Sequence, residues 1–166
     1  MKKDKILTII FLILTIVINV FIIFQSVLDA NNSTEQSSWV ITFLSNTVNF
    51  FIPNLINESN IDVFSHGVRK FIGHFSLFAV DGLVTTLFIY YLLKNKLDLI
   101  YQYSISLGFG FIIASTTEFI QIFRPGRSGE FKDIMIDFLG YLLLASLIIF
   151  INVILKYRKK NQPNVE

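Results

Sequence analysis

The sequence predicts an all-α membrane protein with four transmembrane helices and one amphipathic interfacial helix on the outer side. Hydrophobic residues make up 53% of the 166 residues and aromatic residues 15%, which is more than a soluble domain of this size needs. They concentrate in four runs long enough to cross a hydrocarbon core of roughly 30 Å. Only helices let such runs satisfy their own backbone groups in lipid, so each run predicts a helix.

The chain has room for a single membrane domain over residues 1–166. The predicted transmembrane helices cover about residues 6–28, 68–93, 97–123 and 133–156. Lys2, Lys3 and Lys5 precede the first of them. A cleaved signal peptide would have a shorter apolar stretch and a small-residue exit, so we expect an uncleaved anchor.

Residues 38–52 predict the interfacial helix. The apolar side chains fall on one side at helical spacing: Val40, Phe43, Leu44, Val48 and Phe51. Ser37 or Ser38 can cap this helix, and Pro53 follows its end. Because it is too short and too polar on one face to span, we expect it to lie in the membrane interface. The polar residues 29–38 before it predict a loop.

The distribution of Lys and Arg predicts that both termini are cytoplasmic. One side of the membrane would carry Lys2, Lys3, Lys5, Lys94, Lys96, Lys156, Arg158, Lys159 and Lys160. The other side would carry Arg69, Lys70, Arg124, Arg127 and Lys132. The outer side thus holds three of the four arginines. Arginine binds phosphate and carboxylate through two parallel hydrogen bonds, so we expect these arginines to have a binding role.

Composition excludes several kinds of site. The chain has no cysteine, which excludes disulfides, thiol nucleophiles and thiolate metal ligands. The net charge of +2, without a basic face on a soluble module, argues against nucleic-acid binding. His74, Glu118, Asp133 and Asp137 offer nitrogen and oxygen donors, but their spacing resembles no known zinc pattern. The sequence therefore predicts no metal and no cofactor.

Ionisable groups near the outer ends of the predicted spans define the candidate site. Such groups are costly in lipid and usually functional, and the simplest packing points them at one another. The predicted ligand-binding residues are Arg69, Lys70, His74, Glu118, Gln121, Arg124, Arg127, Asp133 and Asp137. If the protein is an enzyme, His74 and Glu118 are the catalytic candidates, since either can act as a general base.

Structural roles stay open for several of these groups. Arg69 and Lys70 can extend to lipid headgroups. Glu118 can form an ion pair with Arg127 that locks the outer loop, and Asp133 can cap a helix start. Asp81, which lies deeper, can join helices through a hydrogen bond to a hydroxyl or an arginine.

Three sequence elements carry a resemblance to a known family. They are Arg69-Lys70-x-x-x-His74-Phe75, Glu118-x-x-Gln121, and Arg124-Pro125-Gly126-Arg127-Ser128-Gly129-Glu130-Phe131-Lys132-Asp133 leading into Asp137-x-x-Gly140. With these elements the chain resembles the VanZ-like family of bacterial membrane proteins. The resemblance implies a place in the bacterial plasma membrane and a role in the cell envelope. For some members this role is reduced susceptibility to teicoplanin-type lipoglycopeptide antibiotics.

Two functions from different classes follow from these features. In the first, the protein binds an anionic lipid-linked or cell-wall precursor at its outward polar site and lowers susceptibility to teicoplanin-type antibiotics. In the alternative, it is a membrane enzyme that modifies a lipid or lipid-linked substrate with Glu118 and His74 as acid and base. The expected partners are a membrane lipid or lipid-linked precursor and a lipoglycopeptide antibiotic. The sequence predicts no particular protein partner.

Overall fold

The computed structural model describes residues 2–160, whose regular elements are all helices, with no strand. In chain order the elements are α1 (Lys2–Val27), α2 (Ala30–Phe51), α3 (Ile61–Val68), a π-helical segment (Arg69–Phe75), α4 (Ser76–Leu93), α5 (Leu99–Gln121) and α6 (Phe131–Lys160). The α3 helix, the π-helical segment and α4 follow one another without a break and form one long helix, Ile61–Leu93.

Four helical stretches within residues 2–160 are long and apolar enough to cross a membrane. They are Lys3–Val27, Ile61–Leu93, Leu99–Gln121 and Phe131–Arg158. Large apolar side chains such as Val17, Ile112 and Phe150 are exposed along them, which is the surface that lipid would cover. This confirms the predicted fold class, an all-α membrane protein with four spanning helices. The helix ends differ from the predicted ones by a few residues at most positions, as helix ends commonly do.

The predicted loop over residues 29–38 is wrong, because α2 already begins at Ala30. Asp29, rather than Ser37 or Ser38, occupies the N-cap position. The stretch is polar, but it contains no proline or glycine to break a helix, so polarity alone was a poor sign of a loop. The end of α2 at Phe51, just before Pro53, agrees with the predicted end.

The second spanning helix also begins earlier than predicted, at Ile61 instead of residue 68. Asp62, Ser65 and His66 interrupt the apolar run there and hide the helix from a search for apolar length. The early start brings His66 onto the same continuous helix as the predicted site residues.

Small residues let the helices approach closely around Tyr141, which is fully buried on α6. A Cβ at Gly82 of α4 would collide with the Tyr141 backbone, and a Cβ at Gly110 of α5 would lie 2.6 Å from its ring. Close backbone contact at small residues is a common basis of helix packing in membranes. The Tyr141 hydroxyl lies 2.9 Å from Ser106 Oγ, which in turn lies 2.7 Å from Thr86 Oγ1.

A buried hydrogen-bonded link joins α1 to α4. Asn19 Nδ2 donates to Asp81 Oδ1 at 2.9 Å, and Thr85 Oγ1 donates to the same oxygen at 2.7 Å. All three side chains are buried, with Asp81 at 0% exposure. Asp81 therefore joins helices, as the sequence allowed, through the Asn19 amide as well as the Thr85 hydroxyl.

We expect Asn19→Leu to destabilise the fold, because it removes one of the two hydrogen-bond donors to the buried Asp81 carboxylate and with it the link between α1 and α4. The loss of unfolding free energy should be about 1–3 kcal/mol, measured as a lower thermal unfolding midpoint in detergent. Asn152→Leu is the matched control, since Asn152 Nδ2 donates only to the Ile148 carbonyl of its own helix. Equal midpoints for the two variants would contradict the expected role of the link.

We call the end of the bundle at which α1 and α5 finish and α6 begins the polar end. The opposite end holds the first turn of α1 and the turn after α4, which an ion pair joins through Asp4 Oδ1 and Lys94 Nζ at 2.5 Å. The predicted site residues lie at the polar end, on the π-helical segment, the end of α5, the loop 122–130 and the start of α6.

Candidate functional site

A cavity of about 260 Å³ opens at the polar end between the π-helical segment, the loop 122–130 and the start of α6. Seven of the nine predicted ligand-binding residues line it: Arg69, Lys70, His74, Gln121, Arg127, Asp133 and Asp137. Glu118 lies behind this wall, close to His74 and Asp137. Arg124 is not among the lining residues, although it belongs to the same loop as Arg127.

The π-helical segment presents three of these side chains, Arg69, Lys70 and His74. A π-helical turn is rare and often occurs at functional sites. The glycines Gly67 and Gly73 lie before and within it, and glycine weakens the preference for a regular α-helix. The π-helical turn thus forms where these two glycines weaken the preference for a regular α-helix.

His74 meets Asp137 of α6 at the floor of the cavity. His74 Nδ1 lies 3.5 Å from Asp137 Oδ2, and the Asp137 side chain is only 1% exposed. Gly140, one turn further along α6, packs against the Phe75 backbone so closely that a Cβ there would collide with the Phe75 carbonyl. The glycine therefore sets the close approach that brings the two side chains together.

Glu118 is buried at the end of α5 and held by two donors. Gln121 Nε2 donates to Oε1 at 2.8 Å, and the Glu130 backbone N–H donates to Oε2 at 3.2 Å. Gly129 lies so close to the Glu118 carbonyl that a Cβ would not fit there. The loop 122–130 thus folds tightly onto α5 and fixes the orientation of the Glu118 carboxylate.

Lys70 and Asp133 join the π-helical segment to the start of α6. Lys70 Nζ lies 2.6 Å from Asp133 Oδ1, and both side chains are partly exposed to the cavity. The sequence left Lys70 free to extend to headgroups and Asp133 free to cap a helix. In the structure they pair with each other instead.

Arg127 occupies the rim of the cavity. Gly126 before it has a φ of 71°, a conformation that favours glycine and turns the loop sharply. Arg127 Nη1 donates to the backbone carbonyl of Gln25 at the end of α1, at 3.3 Å. Burial lowers the pKa of the Arg127 guanidinium, yet an arginine stays charged at any physiological pH. Within residues 2–160, Arg127 makes no ion pair with Glu118, the pair that the sequence left open.

Sequence reasoning missed His66 as a lining residue. It lies four residues before Lys70, as Lys70 lies four before His74, and such spacing places side chains along one helix face. This spacing could have predicted that His66 lies beside Lys70 and His74, but only if the helix was known to include residue 66.

A second cavity, of about 360 Å³, lies beside the first and is mainly apolar. Phe21 and Ile22 of α1, Val40 of α2 and Leu77 of α4 contribute to its walls. The two cavities share three lining residues, which are Arg69, His74 and Arg127. The polar cavity, which cations and carboxylates line together, and the apolar cleft therefore adjoin at these side chains.

Comparison with known proteins agrees with the resemblance seen in the sequence. Neither the curated proteins nor the solved structures give a significant match to this chain. A family model described as VanZ/LLP1 matches residues 11–153, which include every residue of the two cavities. The chain therefore belongs to the VanZ/LLP1 family.

Proposed function

We propose that this protein binds an anionic lipid-linked cell-envelope precursor, with the phosphate-bearing headgroup in the polar cavity and the hydrocarbon chain in the apolar cleft. The observation that carries the proposal is that the two cavities adjoin at Arg69, His74 and Arg127. An amphiphile with a negative head and an apolar tail fits both chambers at once. A free anion would occupy only the polar cavity, and an uncharged lipid would occupy only the apolar cleft.

The polar cavity has the chemistry to bind a phosphate or diphosphate. Arg69, Lys70 and Arg127 contribute positive charge to its wall, beside the carboxylates of Glu130, Asp133 and Asp137. Two of these are arginines, whose planar groups match phosphate oxygens with paired hydrogen bonds. Partial burial of Arg127 lowers the local dielectric constant and so strengthens its attraction for an anion.

The apolar cleft has the chemistry to hold a hydrocarbon chain. Its walls come mainly from α1, α2, α4 and the π-helical segment, and half of its lining residues are aliphatic or aromatic. Trp39 of α2 is one of these residues and is 71% exposed. Tryptophan is enriched at the interface between headgroups and hydrocarbon. This supports a position of α2 at the membrane surface, as the sequence predicts.

Charge asymmetry supports the orientation that such a function needs. The loops with the larger number of lysines and arginines would lie in the cytoplasm of a bacterial cell, with both termini. The polar cavity would then open on the outer face of the plasma membrane. Sequestration of a precursor there is our proposed link to lower susceptibility to teicoplanin-type antibiotics.

Binding to three probes tests the proposal with the purified full chain in detergent. The probes are a polyprenyl diphosphate, inorganic pyrophosphate and the uncharged polyprenol. We expect the diphosphate lipid to bind at least tenfold more tightly than either partial probe, because only it occupies both chambers, and tenfold corresponds to about 1.4 kcal/mol. Equal affinity for polyprenol and its diphosphate would overturn the proposal. Recovery of a chemically altered lipid would instead favour the alternative, an enzyme with His74 and Glu118 as acid and base.

We expect Gly73→Leu to weaken binding of the diphosphate lipid while leaving inorganic pyrophosphate binding unchanged. Gly73 lines the apolar cleft, and a side chain there would enter open space. The leucine would therefore fill room that the hydrocarbon chain needs. Gly108→Leu is the matched control, since a Cβ at Gly108 also meets nothing within 4 Å and the residue lies outside the cleft. The same loss in both variants, measured by the same titration, would contradict the assignment of the cleft.

A further inference from the structure

Three potential metal ligands from three different elements converge beside the polar cavity. His74 of the π-helical segment, Glu118 of α5 and Asp137 of α6 each offer one ligand atom, and these atoms lie within 4.8 Å of one another. We propose that these three side chains bind one divalent transition-metal ion, of the zinc or manganese type. The sequence predicts no metal site, because ligands supplied singly by three separate helices leave no recognisable spacing.

Asp137 gives an independent indication of a missing partner. The residue is 0% exposed, and neither carboxylate oxygen has a hydrogen-bond partner within residues 2–160. Its nearest polar contact, His74 Nδ1 at 3.5 Å, is longer than the range of about 2.7–3.2 Å for ordinary N–H···O bonds. A buried carboxylate is costly unless it is paired or bound to a metal. Its position within the three-ligand cluster favours a metal.

Two cations of the polar cavity, Lys70 and Arg127, have partners outside the cluster. Lys70 pairs with Asp133, and Arg127 donates to the Gln25 carbonyl. Within the described residues, neither forms an ion pair with Glu118 or Asp137. The cluster thus combines two carboxylates and one imidazole, and a divalent cation would balance both carboxylates.

The surroundings of Glu118 resemble the support that metal ligands usually have. Gln121 and the backbone N–H of Glu130 each donate to one of its oxygens and fix the carboxylate plane. Such hydrogen bonds from outside the coordination sphere orient metal ligands and strengthen binding. A carboxylate has about four acceptor sites on its two oxygens, so these two bonds leave electron pairs for an ion.

The donor set selects the class of metal. Imidazole nitrogen favours zinc and other first-row transition metals, whereas calcium and magnesium prefer oxygen alone. Ligand atoms at about 2.0–2.2 Å from zinc lie at most about 4.4 Å apart. Small side-chain rotations would therefore close the cluster around the ion. Three protein ligands also leave a coordination position free, as in catalytic zinc sites. His74 and Asp137 both line the polar cavity, so a fourth ligand can reach the ion from that cavity.

Metal titration of the purified full chain in detergent, without added lipid, tests the inference. We expect isothermal titration calorimetry with Zn²⁺ or Mn²⁺, and metal analysis after dialysis, to show one ion per chain. Asp137→Asn should weaken binding by at least about tenfold. Asp81→Asn is the matched control, since Asp81 is equally buried and lies outside the cluster; it should bind as the wild type does.

Absence of stoichiometric metal from the wild-type chain would overturn the inference, as would unchanged affinity in Asp137→Asn. If Asp137→Asn fails to fold, as judged by size-exclusion chromatography, the metal affinity of Gln121→Ala tests the site instead. That variant removes the side-chain donor to Glu118 and should lower metal affinity by about tenfold. Unchanged affinity would again overturn the site. Because no lipid is present, the result does not depend on the proposed lipid-binding function.

Discussion

Arg127→Ala should lower the affinity for a polyprenyl diphosphate by roughly tenfold to a hundredfold. Arg127 lines both cavities, so its guanidinium lies where the headgroup and the hydrocarbon chain of the ligand would join. Loss of a hydrogen bond to a charged group costs about 1.5–3 kcal/mol, which is the basis of the expected range. Titration of the purified variant with the diphosphate lipid measures it. Arg127→Lys should recover part of the loss, because lysine keeps the charge but not the paired hydrogen bonds.

Arg124→Ala is the matched control for this experiment. Arg124 and Arg127 are three residues apart on one loop, and the sequence predicts a binding role for both. The structure separates them, since only Arg127 lines the cavities. We therefore expect Arg124→Ala to bind the lipid as tightly as the wild type. A similar loss in both variants would show that general positive charge, and not the position of Arg127, attracts the lipid.

Gly82→Leu should prevent the chain from reaching a stable folded state. A Cβ at Gly82 would already collide with the carbonyl of Tyr141, so the longer side chain has to push α4 and α6 apart. Overpacking of a tight core typically costs about 1–3 kcal/mol and occasionally more. Here the new Cβ meets backbone atoms of Tyr141, so a change of rotamer cannot relieve the contact. Gly82→Ala should be intermediate.

Size-exclusion chromatography and thermal unfolding in detergent measure this effect. Gly108→Leu introduces the same side chain on α5, where a Cβ meets nothing within 4 Å. We expect its elution profile and its unfolding midpoint to match those of the wild type. A normal midpoint for Gly82→Leu would mean that α4 and α6 do not pack as closely as the structure shows.

The sequence predicted the spanning helices because a long apolar run has few alternatives in lipid. It was less successful where polarity and helix formation coincide. Residues 30–38 are polar yet helical, and residues 61–67 carry polar side chains yet extend the second spanning helix. The apolar content of a segment indicates how favourably it enters lipid. Helix formation depends instead on backbone hydrogen bonds, which polar residues can also form. Apolar length therefore underestimates such helices.

The members of the candidate site were also largely predictable, since ionisable groups near the ends of apolar helices are costly unless they meet one another. Their individual partners were not. Glu118 binds Gln121 and the Glu130 backbone rather than Arg127, and Lys70 pairs with Asp133. Partner choice depends on the rotation of each helix about its axis, which spacing within a single helix does not specify.

The sequence by itself determined an all-α membrane protein of the VanZ/LLP1 family with a polar site at one end. The length of each apolar run and the positions of charged residues within it are properties of consecutive residues, so they need no tertiary structure. Only the tertiary structure decided that His74, Glu118 and Asp137 form one cluster and that the polar cavity adjoins an apolar cleft. The close approach at Gly140, the π-helical segment and the fold of the loop at Gly129 produce that arrangement. These contacts join residues from different helices, so their geometry exists only once the helices have packed.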